Sequence, residues 1–212
     1  MIERYKTAAM DAIWSRQAKY QRWQEVEVAI CEAHAELGSI PASAIPTIKG
    51  KASFTLERCD EIEKETRHDL MAFVRNLAET TGPSGRFIHF GVTSYDVIDT
   101  SLGIMLRNSC DAVTKSIDDL AAQISRLAKE HADTPMIGRT HGIHAEPITF
   151  GFKCANWYAE LMRNRARIQD VRCQVAVGKV SGAVGVHGVT SPDLEKVVCQ
   201  KLGLEVDPAT TQ

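Results

Sequence analysis

The chain has 212 residues, 44% hydrophobic and 25% charged, with a formal net charge of −2. That is the balance of a folded globular protein, and the interspersed charges leave neither a basic footprint for nucleic acid nor a like-charge tail. The opening MIERYKTAAM lacks an apolar stretch of signal-peptide length, and later apolar runs are broken by Lys179 and by glycines, so no membrane span is expected and the expected location is cytoplasmic.

Apolar residues recur at three- and four-residue steps through most of the chain and strict alternation is almost absent, which predicts an all-α fold. A helix over residues 18–37 carries Trp23, Val26, Ile30 and Ala33 on one face and stops at Gly38, with Pro41 and Pro46 punctuating the connection after it. Shorter helices are expected over 56–64 and 70–79. A long helix begins at Thr93 or Ser94, where a hydroxyl N-cap precedes Asp96 and Asp99, both placed well against the helix dipole. Val113, Ile117, Leu120, Ile124 and Leu127 carry its rhythm to Lys129, roughly 35 residues or about 50 Å. Such a rod belongs to an extended bundle, often one shared between subunits.

A loop containing Pro135 leads to a second long helix over 149–175, expected to pack antiparallel to the first. The glycine-rich run GKVSGAVGVHGVTSP lacks the spacing of a dinucleotide loop and reads as an irregular connection with room for a short strand. Ser191 as cap, Pro192 at the first helical position and Gly203 after Leu202 bracket a last helix. The change from short to long elements places a domain boundary between 1–92 and 93–212, and the end at ATTQ, after only two long helices, leads us to expect further chain. Six cysteines (Cys31, Cys59, Cys110, Cys154, Cys173 and Cys199) form no CxxC pair and sit mostly among apolar residues, against disulfides or a structural zinc.

Four of the seven histidines, His68, His89, His141 and His144, lie beside glycines, arginines and hydroxyls at expected element ends, where side chains can converge on a cleft; His34 and His131 read as ordinary surface residues. GRTHGIHAEP, read as a loop, gathers Arg139, Thr140, His141, His144 and Glu146; this is either local hydrogen bonding with an Arg139–Glu146 pair or a reactive cluster, and its spacing does not suit a metal. In HFGVTSYDVIDT, Thr93 and Ser94 stand at a helix N-terminus, where free N–H groups and the dipole favour an anion, although simple capping accounts for one of the two hydroxyls. TRHDL sets Arg67, His68 and Asp69 at a break between helices, where a surface salt bridge is the commoner meaning. Arg4 and Tyr5 say little in isolation beyond an ability to contact a phosphate.

With these segments in order from MIERY to TTQ, the whole chain resembles the adenylosuccinate lyase branch of the fumarase and aspartase superfamily. The run Gly142–Ile143–His144–Ala145–Glu146 fits that branch better than the Leu-Gln continuation of other members. The resemblance implies a carbon–nitrogen lyase that eliminates fumarate from a succinylated nucleotide without cofactor or metal. It implies His141 as proton donor to the leaving group, with His68 and His89 lining the pocket, His68 counted with the catalytic groups. Thr93 and Ser94 would hold the succinyl carboxylate, Arg4, Tyr5, Arg67, His68 and Asp69 the nucleotide, and Gln212 the substrate. It further implies a homotetramer whose sites draw on three subunits. The branch's serine-rich SSxMPxKxN loop, which would supply the base, has no counterpart among these residues. The alternatives are a superfamily lyase for argininosuccinate or a dicarboxylate, and a non-catalytic helical scaffold.

Overall fold

The computed structural model describes residues 2–210. Two compact units emerge, one made of residues 1–108 with 175–212 and the other of 109–174. This differs from a cut at 92/93, because the chain after residue 174 returns to pack with the N-terminal elements.

In the first unit, Thr7 caps α1 (Ala8–Trp14) and Ser15 caps α2 (Arg16–Glu36), each side chain accepting an N–H of the first turn. Helix α2 buries Trp23, Val26, Ile30 and Ala33 as the spacing predicts, but Glu27 and His34 share that buried face. His34 is therefore not the surface residue expected from its position late in a helix. Its face points inward, and Nε2 bonds the Phe90 carbonyl at 2.9 Å. Short α3 (Ile45–Lys51) adds Ile48 to the core.

Helix α4 (Leu56–Thr66) and α5 (Asp69–Thr81) pack together, α5 contributing Leu70, Phe73 and Leu77. Trp23 stacks on Tyr20 at 4.6 Å and meets Phe73 edge-on at 5.5 Å, the heart of this core. The first part of α6 (Ser94–Glu130) adds Val97 and Ile104. Gly103 lets the chain cross α6 closely: a Cβ there would lie 2.2 Å from the Val177 carbonyl oxygen. This offsets the roughly 1 kcal/mol that glycine costs inside a helix.

The expected cap, proline and glycine bracket the helix of Pro192–Leu202: Ser191 accepts the Leu194 N–H and Gly203 turns left-handed at φ 64°. That helix packs on α2. A two-residue parallel pairing of Val177–Gly178 with Glu205–Val206 realises the short strand allowed for in the glycine-rich connection.

The second unit holds the remainder of α6 and, after a turn, a hairpin of β1 (Pro135–Thr140) and β2 (Ile143–Thr149), followed by α7 (Phe150–Val175). The GRTHGIHAEP segment is thus not a loop. His141 and Gly142 form a two-residue turn with φ 53° and 77°, the positive pair a type I′ hairpin turn requires. Pro147 is accommodated opposite Ile137, beside the irregularity between Ile137 and Arg139. Helices α6 and α7 run antiparallel, laced by Asp118 with Arg165, Thr114 with Gln169 and Asp111 with Arg172. Leu120, Trp157, Tyr158 and Val171 remain exposed on this pair. No helix among the described residues is long and apolar enough to cross a membrane.

Candidate functional site

The break between α4 and α5 exists because Arg67 adopts a left-handed conformation, φ 54°, and caps α4 through its N–H to the Glu63 carbonyl. His68 then caps α5 with its ring: Nδ1 accepts the Met71 N–H at 3.4 Å. An accepting Nδ1 leaves the proton on Nε2, which lies 3.3 Å from Ser94 Oγ at the first residue of α6. Two helix N-termini thus bring His68 and Ser94 together, a geometry suited to receiving an anionic oxygen. Asp69 spends one carboxylate oxygen on the Leu70 N–H at 2.7 Å.

Asp96 does more than face a dipole. It is 0% exposed, its Oδ2 accepts the Thr93 N–H at 2.9 Å, and its Oδ1 accepts the Gly182 N–H at 3.1 Å and lies 2.8 Å from Lys179 Nζ. Lys179, 3% exposed, also donates to the Gly182 carbonyl at 2.9 Å. A paired, hydrogen-bonded buried charge of this kind joins the start of α6 to the glycine-rich segment and holds Thr93 in place. Asp99 is half-buried, and burial pushes its carboxyl above the ordinary aspartate value.

His89 sits just before this corner at φ 63°. Glu27, 1% exposed on α2, accepts its backbone N–H through Oε2 at 2.9 Å and meets its ring Nδ1 through Oε1 at 2.6 Å. Burial of the ring opposes a charged imidazole, but the hydrogen bond and charge of Glu27, with Asp96 behind, prevail and hold His89 above the ordinary histidine value. Among the described residues the non-glycine residues with positive φ are Arg67, His89, His141 and His187, the first three of which lie on segments singled out for chemistry.

Of the other residues marked from the sequence, Arg4 and Tyr5 lie exposed in the turn Glu3–Tyr5, the guanidinium 4.9 Å over the Tyr5 ring, and so pair with each other. His141 is exposed at the tip of the hairpin and His144 is exposed on β2 opposite Arg139, both in the second unit. Gln212 lies outside the described residues. Among those residues no group of three or more His, Cys, Asp or Glu is placed to hold a metal ion. All six cysteines are free, and burial drives the Cys31 thiol up to about 12, far from a reactive thiolate.

Sequence reasoning missed Glu27 and Lys179. A signal existed for the first: Glu27 falls on the apolar face set by Trp23, Ile30 and Ala33, where a carboxylate is costly without a partner.

A helical fold with short sheets, in which a 37-residue helix begins where Ser94 meets His68, is what this arrangement defines. A family model described as "Lyase" matches residues 3–212, and the chain belongs to that lyase family. It is similar to the adenylosuccinate lyases of Synechocystis sp., 51% identical over 212 residues, and Bacillus subtilis, 46% identical over 212 residues. In both cases the match takes in 100% of this chain and 49% of the relative. The chain thus spans about half the length of the curated relatives it matches. Among solved structures it resembles the fumarate lyase from Mesorhizobium sp. BNC1, with a TM-score of 0.87 and 31% identity over 95% of this chain and 49% of that one.

Proposed function

We propose that these residues belong to an adenylosuccinate lyase, which eliminates fumarate from adenylosuccinate to leave AMP and performs the same reaction on the succinylated aminoimidazole carboxamide ribotide. The observation that carries this reading is 44–51% identity with several adenylosuccinate lyases along the whole chain.

In this reaction a base removes the proton beside a succinyl carboxylate, the C–N bond breaks, and its electron pair returns to the nucleotide nitrogen, which must be protonated as it leaves. His141 is the donor in this reading, because an imidazole titrates near working pH and can hold and release a proton there. Thr93 and Ser94 hold the succinyl carboxylate, where charge accumulates in the carbanion; donors fixed beforehand at the start of α6 stabilise that charge without reorganising. His68 and His89 line the pocket, and Arg4, Tyr5, Arg67, Asp69 and Gln212 complete the binding of nucleotide and substrate. The base belongs to the serine-rich loop that has no counterpart in these 212 residues. No cofactor or metal enters the scheme. The protein works in the cytoplasm as a homotetramer, the exposed apolar residues of α6 and α7 supplying part of the subunit interface.

Fumarate release tests the reading. The full-length protein should release fumarate from adenylosuccinate and bind AMP saturably by calorimetry. Release from argininosuccinate instead would move it to another branch, and absence of any AMP signal would favour a scaffold.

A further inference from the structure

We propose that Glu27 is the positioning residue of His89: its buried carboxylate fixes the ring's tautomer and direction, so that Nε2 is the atom offered to an anionic oxygen of the ligand. The inference rests on the reading of His89 as a pocket-lining residue and adds a group that touches no substrate itself.

The geometry is specific. Glu27 projects from the fourth turn of α2, a helix anchored in the core by Trp23, Val26 and Ile30. Its two oxygens take two different donors of one residue, the backbone N–H of His89 at 2.9 Å and ring Nδ1 at 2.6 Å. A carboxylate only accepts, so Nδ1 must carry a proton and Nε2 is left for another partner. The His89 side chain retains 13% exposure while Glu27 is 1% exposed, so the ring is the side of the pair that meets solvent. Burying a carboxylate here is costly, and the backbone N–H alone does not require a full charge: a glutamine oxygen would serve it equally. What needs the charge is the ring.

The charged groups around the imidazole are Glu27 on α2 and Asp96 on α6, the second of which is already matched by Lys179. Glu27 is therefore the group that decides whether the ring is an imidazolium at neutral pH. With both ring nitrogens protonated, Nε2–H donates to a phosphate or carboxylate oxygen with charge assistance. Once the proton is lost, Glu27 keeps the remaining one on Nδ1 and Nε2 presents a lone pair, which repels the same oxygen. In Glu27→Gln the amide can still accept from Nδ1–H but no longer favours the second proton by its charge, so the ring loses the Nε2 proton at lower pH and the pH sensitivity of the site moves down the scale.

Histidine carbethoxylation of the full-length protein, followed on the tryptic peptide 87–107, tests this without substrate, because that peptide contains a single histidine, His89. Only the unprotonated ring reacts, so rate against pH gives its midpoint. We expect a wild-type midpoint above about 6.5, the ordinary histidine value, and a midpoint lower by about one pH unit in Glu27→Gln. The pH at which kcat/KM for fumarate release falls on the alkaline side should move down with it, with kcat changed less than KM. A wild-type midpoint at or below the ordinary value overturns the proposal even if Glu27→Gln does not fold. Equal midpoints in the two proteins overturn it as well, as does a shifted midpoint with an unmoved kcat/KM profile. If the wild type releases no fumarate, the proposed function fails while the midpoints still decide whether Glu27 sets the state of His89.

Discussion

The two compact units hold their histidines in different ways. In the first, His68 is fixed by its own capping bond and by Ser94, and His89 by both oxygens of a buried glutamate. In the second, His141 stands exposed on the two-residue turn of a hairpin, constrained by a backbone at φ 53°. One charge pair of the first unit has no counterpart among the described residues of the second. Asp96 and Lys179 meet out of water in the first unit, whereas Asp118–Arg165 and Asp111–Arg172 lace α6 to α7 in the second through side chains that stay wet. The contrast teaches that the proposed binding groups of the first unit are preorganised by its own core, while the proposed proton donor is presented on a short hairpin with few restraints. A donor that must approach a leaving group late in the reaction can tolerate that freedom, whereas groups that hold developing charge cannot.

The largest effect should come from the least restrained residue. His141→Ala in the full-length protein should lower turnover by roughly two to four orders of magnitude with helicity unchanged by circular dichroism. A loss of tenfold or less would remove His141 from the donor's role and, with it, half of the comparison.

Next should come the buried pair. Asp96→Ala leaves Lys179 charged and unpaired in the core, at a cost of about 3–5 kcal/mol in urea denaturation. Breaking the second unit's lacing with Arg165→Ala should barely move the same curve, because exposed pairs are screened and flexible. Similar shifts for both would erase the distinction between the units.

These contrasts show how much the sequence conveys and where it falls silent. Helix positions followed from spacing and punctuation: Ser191, Pro192 and Gly203 bracket the last helix as read, and the long helix starts at Ser94 as its hydroxyls suggested. The hairpin was hidden because its turn is His-Gly rather than Asn-Gly and its second strand contains Pro147, which breaks the usual strand signature. The roles of Asp96 and Lys179 were hidden for another reason. They lie 83 residues apart, and a long-range ion pair leaves no local pattern. The burial of His34 is legible from its face and not from its end-of-helix position, since it comes four residues after Ile30 on the buried stripe.

Half-buried His89 and buried His34 sharpen the picture through pH. His89 is held above the ordinary value, so the folded state binds its proton more tightly than the unfolded chain. Its stabilisation is complete below about 6.5 and is lost as pH rises through the folded value. His34 is lowered by burial, with the Phe90 carbonyl opposing. There the unfolded chain binds the proton more tightly, and stability falls as pH drops from about 6.5 toward the folded value. Denaturation midpoints across pH should therefore decline on both sides, the alkaline decline flattening in Glu27→Gln and the acid decline in His34→Gln. A profile unmoved by either change would contradict these assignments.

The smallest effect should distinguish capping from recognition. Thr93→Ala with Ser94→Ala should weaken adenylosuccinate binding more than AMP binding, because AMP lacks the succinyl carboxylate. A cap alone would cost roughly 1 kcal/mol of stability and affect both ligands alike.

The most direct measurement is the absorbance of fumarate formed when full-length protein meets adenylosuccinate, run beside the His141→Ala protein. The account predicts fumarate and AMP in equal amounts from the wild type and a rate lower by roughly two to four orders of magnitude from the variant. No fumarate from folded wild-type protein that binds AMP, or equal rates from the two proteins, would contradict it.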